Sequence, residues 1–183
     1  MKIIKSFFSN SIKIIQITKY DDNRGFFIEN YNYKKLKSLG IHDNFVQDNF
    51  SFSKTNGTIR GLHFQKPKMD QSKLISVVRG SILDIFLDIR KKSKTYGKYQ
   101  SYKLNESDFK LIYIPSGFAH GFRVIKKNTL VMYKTSNFYS PIHEQTIKYN
   151  DKKLNINWGS NKNVITSKKD KNGIFFDKFK SPF

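Results

Sequence analysis

Residues 82–90 read ILDIFLDIR, and their alternation decides the fold. Leu83, Ile85, Leu87 and Ile89 fall on one face, and Asp84, Phe86, Asp88 and Arg90 on the other. A period of two is that of a strand, whose successive side chains point to opposite sides. The second face reads either as a solvated outer surface or as a barrel lumen holding carboxylates. Phe86 favours the lumen, because it would be wasted in water. Further runs of β-branched and aromatic residues lie on either side: 45–53, 58–65, 74–79, 99–104, 110–114 and 129–135, separated by Gly, Asn, Asp, Ser and Pro. Such spacing predicts an all-β antiparallel sandwich or barrel. The one helix predicted covers 32–39 and ends at Gly40. From Lys148 the chain turns polar and Lys/Asn-rich, with Trp158 as its main anchor. The expectation is a single domain over 1–183, with a barrel over 1–147 and an extension over 148–183 wrapping it.

Composition narrows the function classes. The 183 residues carry 34 Lys plus Arg against 14 Asp plus Glu, a formal charge of +20. That balance suggests an anionic partner. However, 29 of the cations are lysines spread along the whole chain and only five are arginines, the side chain that nucleic-acid readers favour for bidentate contacts. Together with abundant Ile, Asn, Phe and Tyr, this reads as A/T-rich codon usage, and no nucleic-acid partner is expected. The charge would still draw an anionic small molecule toward a cleft. Cysteine is absent, which removes disulfides, thiolate ligands and thiol nucleophiles. Apolar runs reach four residues at most, and the N-terminus lacks the h-region of a secretory signal. A soluble, cytoplasmic protein with no membrane partner is expected.

Proton chemistry near neutral pH favours histidine. His42 and His143 lie in polar, loop-like stretches. His63, in TIRGLHFQ, lies on a predicted strand with Gly61 and Gln65 on its face. His120, in IPSGFAHGF, follows a turn marked by Pro115 and Gly117 and leads into another strand. A lone strand histidine is more often structural than catalytic, but two beside glycines suggest a shared site. Pro115-x-Gly117-x-x-His120 resembles the second motif of the cupin β-barrels, and the His63 strand falls where their first motif lies. A metal-binding cupin would follow His63 with a second His and then a Glu. Here Gln65 follows, no Glu occurs before Gly80, and Val124 stands where the second motif ends in Asn. Two histidines without carboxylate or thiolate support make a poor metal site, so no metal is predicted.

More of the chain then resembles one branch of that fold. DDNRGFFIE, FVQDNFSFSK, IRGLHFQ, KLISVVRGSILDIFLDIRKKSKTYGKY, IPSGFAHGF, VMYKTSNFYSP and ITSKKD run from about Asp21 to Asp170. In this order and spacing they are similar to the RmlC-type cupins, the dTDP-4-dehydrorhamnose 3,5-epimerases. The resemblance implies a cupin jelly-roll barrel and a homodimer in which the N-terminal part adds to the neighbouring sheet. It also implies epimerisation of dTDP-4-dehydro-6-deoxy-D-glucose at C3 and C5 without a cofactor, because the 4-keto group itself is the electron sink. By resemblance His63 is the base, Asp170 its orienting partner, Lys73 the enolate stabiliser and Tyr133 the acid on the opposite face. Arg24 and Arg60 fall to the diphosphate; Glu29, Gln47 and Asn49 to nucleotide and sugar, with Glu144 and Lys169 as further candidates. His120 faces the sugar, and Asp84 supports the histidine and lysine from the barrel wall.

Each role has a plainer rival: a hairpin salt bridge for Arg24 and Glu29, a core aromatic for Tyr133, a solvated turn for Lys169 and Asp170. The sequence Lys66-Pro67-Lys68 departs from a more polar loop in the family. Two other functions compete: a single-carbon (3- or 5-) epimerase of another deoxysugar, and a non-catalytic cupin binding a sugar nucleotide or polyanion.

Overall fold

The computed structural model describes residues 1–160 and 162–183. Two antiparallel hairpins open the chain, β1 (Lys2–Phe7) with β2 (Ile12–Gln16) and β3 (Lys19–Asp22) with β4 (Gly25–Ile28). They are followed by α1 (Tyr33–Ser38), β5 (Gln47–Ser53), β6 (Ile59–Gln65), β7 (Lys73–Arg79), β8 (Ser81–Asp88) and β9 (Tyr99–Asn105). The remaining elements are β10 (Lys110–Ile114), β11 (Phe118–Val124), β12 (Thr129–Thr135), β13 (Glu144–Thr146) and α2 (Lys168–Lys171). A six-stranded sheet runs β1-β2-β10-β7-β12-β5 and faces a five-stranded sheet β13-β6-β11-β8-β9. Every pairing within the two sheets is antiparallel. This is the predicted jelly-roll.

The alternation in residues 82–90 acts as a hinge between two cores. Phe86 points between the sheets, fully buried with Ile12, Ile75, Ile112, Phe118 and Val131. Ile85, Leu87 and Ile89 point outward and are equally buried, because the C-terminal segment covers them with Leu154, Trp158 and Phe179. Burying each such side chain contributes about 1.5–3 kcal/mol. Trp158 is anchored at its polar end too, its indole N–H donating to the Tyr149 carbonyl at 2.8 Å. A third cluster, Ile15, Leu74, Leu111 and Tyr113, lies on the outer face of the larger sheet under Leu36 of α1.

The helix is two residues shorter than the sequence pattern suggests, one at each end. Asn32 serves as its cap, accepting from the Lys35 N–H at 3.0 Å, and only Leu36 is buried. The predicted strand from Phe45 starts at Gln47, and Thr58 forms an isolated bridge with Ile165 before β6 begins. One end of the lumen is plugged: Phe7 lies 5.3 Å from Phe86, and Phe8 5.2 Å from Phe118, ring centre to ring centre. The segments after β6 and β12 frame the opposite end.

Candidate active site

Two glycines bring the central strands together. A Cβ on Gly61 would stand 2.4 Å from the Gly121 Cα and 2.7 Å from the His120 carbonyl oxygen, so only glycine permits this approach of β6 to β11. His63 and His120 are thereby direct cross-strand partners. Both project into the lumen, while Leu62, Phe64 and Ala119 beside them pack outward under the C-terminal segment. The Nε2 of His63 lies 2.5 Å from Asp170 Oδ1, and the Nε2 of His120 lies 2.5 Å from Asp84 Oδ1 on β8. Asp170 reaches His63 because α2 is tied back to β6 and its neighbours. Ile165 bridges Thr58, Ile174 bridges Ile147, and Gly173 fits against Lys148 where a Cβ would meet backbone at 2.8 Å. Ser167 caps α2, accepting from the Asp170 N–H and donating to its Oδ2 at 2.8 Å.

The opposite sheet supplies a cation and a phenol. Lys73, first residue of β7, holds its ammonium 3.5 Å from the His63 carbonyl oxygen. Tyr133 on β12 is the cross-strand partner of Asn49 on β5, and its ring packs against the core between the sheets. Arg60 closes the gap between β6 and β5, donating to Ser53 Oγ at 3.3 Å and to the Phe52 carbonyl at 3.0 Å. At the mouth Glu144 accepts from Lys169 at 2.7 Å and from the Tyr139 hydroxyl at 2.8 Å. Gln47 donates to Asn49 and accepts from the Tyr139 N–H. Among the described residues, two buried polar side-chain atoms lack a hydrogen-bond partner: Asn49 Nδ2 and Asp84 Oδ2. Both belong to lumen-facing positions, and unsatisfied polar atoms in a core gather where a ligand completes them.

Burial and partners set the protonation states. Burial would raise the Asp170 carboxyl, but hydrogen bonds from His63, Ser167 and the Gly61 backbone outweigh it and hold the group below its ordinary range. Asp170 is thus an anion facing an imidazole. Burial lowers the Lys73 ammonium to about 8, although Glu144 and Asp84 pull it upward. Burial likewise pushes His120 down, against the attraction of Asp84, and pushes the Tyr133 phenol up, against Arg60. At neutral pH Tyr133 holds its proton and His120 is a neutral imidazole. No group of three or more His, Cys, Asp or Glu among the described residues could hold a metal ion.

Known proteins share this arrangement of strands. A family model described as dTDP-4-dehydrorhamnose 3,5-epimerase matches residues 10–178. The dTDP-4-dehydrorhamnose 3,5-epimerase of Shigella flexneri is 41% identical over 177 residues, 96% of each chain. This chain belongs to that family. The Bacillus anthracis epimerase, solved with TDP and PPi bound, is 42% identical with a TM-score of 0.92, covering 95% of this chain and 98% of that one. The Legionella pneumophila enzyme, solved in complex with dTDP-4-keto-L-rhamnose, is 38% identical with a TM-score of 0.92, covering 98% and 94%.

Set against the epimerase family's expected site, the single chain brings together His63, Asp170, Lys73, Tyr133, His120, Asp84, Arg60, Gln47, Asn49, Glu144 and Lys169. It does not bring in Arg24 and Glu29. Arg24 sits at the tip of the β3–β4 hairpin, its side chain 86% exposed and paired only with Asp22. Glu29 is engaged by Lys35 and Asn32 near α1. Two contributors escaped the sequence reading. Ser167 was signalled by Ser-x-x-Asp, the spacing of a helix cap. Tyr139 carried no signal of its own.

Proposed function

We propose that the chain is a cofactor-independent isomerase that converts dTDP-4-dehydro-6-deoxy-D-glucose to dTDP-4-dehydro-L-rhamnose. The observation that carries this reading is a His63–Asp170 pair, its histidine on one sheet, facing Lys73 and Tyr133 from the other sheet across one lumen. The sugar's C4 ketone acidifies the hydrogens on C3 and C5. With Nε2 held by Asp170, the free Nδ1 of His63 takes a proton, and the C–H electron pair moves into an enolate. Asp170 orients the ring and stabilises the imidazolium, as the aspartate of a hydrolase triad does. Lys73 stabilises the enolate oxygen. Tyr133 then donates its phenolic proton to the opposite face of the same carbon, inverting it. Solvent reprotonates the phenolate and removes the proton from His63. Because the ketone takes up the electron pair, the chemistry asks for no metal and no organic cofactor.

Substrate holding follows from the remaining lumen and mouth residues. Arg60 offers a planar donor to the diphosphate. Asn49, Gln47, Glu144 and Lys169 line the nucleotide side, His120 faces the sugar, and Asp84 holds His120. Arg24 and Glu29 fit a homodimer in which the hairpin reaches a second copy. Tyr20, Phe26 and Phe27 on that hairpin are exposed, as are Phe50 and Val78 on the outer face of the six-stranded sheet. The free edge at β1 is where the N-terminal part would add to a neighbouring sheet. The extension over 148–183 belongs to the same domain, since its Trp158 and Phe179 share a core with β6 and β8. No helix among the described residues is long and apolar enough to cross a membrane, and a cytoplasmic site of action suits a nucleotide-sugar substrate.

The test is to incubate the purified protein with dTDP-4-dehydro-6-deoxyglucose in D₂O and follow the sugar by NMR. Deuterium at both C3 and C5, with the product reduced downstream to an L-sugar, is the expected result. Deuterium at one carbon alone would replace this reading with a single-carbon epimerase, and none at all with a non-catalytic sugar-nucleotide binder.

A further inference from the structure

Gln65 lies two residues after His63 on β6, at the place where a metal-binding cupin carries a second ligand. Its side chain is only 4% exposed, and nothing in the proton-transfer scheme uses it. Its amide is committed to three backbone groups. Oε1 accepts from the Ser140 N–H at 2.7 Å, while Nε2 donates to the Phe138 carbonyl at 3.1 Å and to the Met69 carbonyl at 2.5 Å. Those partners fix which end of the amide is oxygen and which is nitrogen. They also belong to the two segments framing the mouth, the one after β6 and the one after β12.

The bonds to Phe138 and Ser140 grip the backbone on both sides of Tyr139. That residue in turn donates its N–H to Gln47 and its hydroxyl to Glu144, and Glu144 is the cross-strand partner of Gln65 itself. Secondary straps run the same way: Gln71 donates to the Asn137 carbonyl, and Asn137 to the Lys68 carbonyl. Phe138, Tyr139 and Ile142 are exposed, so apolar packing contributes little to holding this rim. Its order rests on hydrogen bonds, and among the described residues the only buried side chain bonding to both segments is Gln65.

We propose that Gln65 is a positioning residue for substrate binding, an amide clamp that sets the rim carrying Tyr139 and Glu144 while leaving the proton-transfer residues untouched. The inference rests on the proposed function, because it assumes that this rim holds the nucleotide part of the substrate. Only glutamine satisfies the site. A carboxylate would oppose two carbonyl oxygens, an apolar side chain would strand three backbone groups, and asparagine is too short to span both segments.

The clamp is tested on the full chain with Gln65→Glu, through steady-state kinetics and calorimetric titration of dTDP. KM and the dTDP Kd are expected to rise about tenfold, with kcat within about threefold of wild type and an unchanged circular dichroism spectrum. A merely structural role would lower the Tm and leave both constants where they were. A folded Gln65→Glu protein with wild-type KM and Kd overturns the proposal. Should that variant not fold, Gln71→Ala removes one half-buried strap from the same segment. A rise of about threefold in Kd then supports the clamp, and an unchanged Kd overturns it. Wild-type turnover separates the two readings. An inactive wild type that binds dTDP refutes the epimerase while the Kd comparison still judges Gln65. An active wild type with an unaffected variant refutes the clamp alone.

Discussion

His63 and His120 face each other on neighbouring strands, and each sets its Nε2 2.5 Å from a buried aspartate. In pairwise terms they are the same device. Their surroundings separate them. The His63 side chain is 24% exposed and that of His120 10%. Asp170 has both oxygens occupied, by His63 and by a capping serine, whereas Asp84 keeps one oxygen without a partner. Burial depresses the His120 pKa and leaves a neutral hydrogen-bonding ring. A fully supported carboxylate behind a ring that reaches the lumen describes a base. A half-satisfied carboxylate behind a deeper ring describes a polar wall that a ligand completes. The role of a histidine here follows from what stands behind it and how far it reaches, not from the His–Asp contact itself.

The largest effect should come from breaking the first pair. His63→Ala is expected to lower kcat by about 10³–10⁴-fold while dTDP binding stays within a few fold, read by turnover and titration. Next is Lys73, which both pairs flank. Its ammonium is present below about pH 8 and lost above it, so wild-type kcat/KM should fall as pH rises past about 8. Lys73→Met should lower kcat about 10²-fold at pH 7 and remove that alkaline limb. Because Lys73 holds its proton less tightly folded than unfolded, the unfolded chain binds more protons between about 8 and 10.5, and stability rises with pH there. At pH 7 the cost of burying the cation is fully present, so the same variant should melt at a higher temperature. The smallest effect is expected from Asp84→Asn, which keeps the bond to His120 but changes its polarity: a KM about tenfold higher with kcat nearly unchanged.

The sequence made most of the barrel strands that are buried on at least one face readable, with Ile12–Gln16 the buried strand it missed. Lys110–Ile114 and Thr129–Thr135 form the strands their β-branched and aromatic residues predict. It failed at the edges. In Lys2–Phe7 lysines interrupt the apolar residues, and the strand is exposed along most of its length, so no buried face imposes a period. The short, exposed β3 and β4 escaped for the same reason. At the site, His63 and His120 stood out by residue type and by glycine neighbours whose close approach the structure explains. Asp170 could be paired with His63 only through family resemblance, since it lies 107 residues away in a run of lysines that reads locally as a solvated turn. Gln65 read locally as a missing metal ligand, because its three partners are backbone groups that leave no mark in a sequence.

The comparison of the two pairs is tested most directly by solvent-deuterium exchange at C3 and C5 of the substrate, followed by NMR at saturating concentration for Asp170→Asn and Asp84→Asn side by side. Asp170→Asn is expected to slow exchange at both carbons by about 10²-fold or more, while Asp84→Asn exchanges both at nearly the wild-type rate. Exchange that survives in Asp170→Asn and disappears in Asp84→Asn would contradict it, and would make His120 the base.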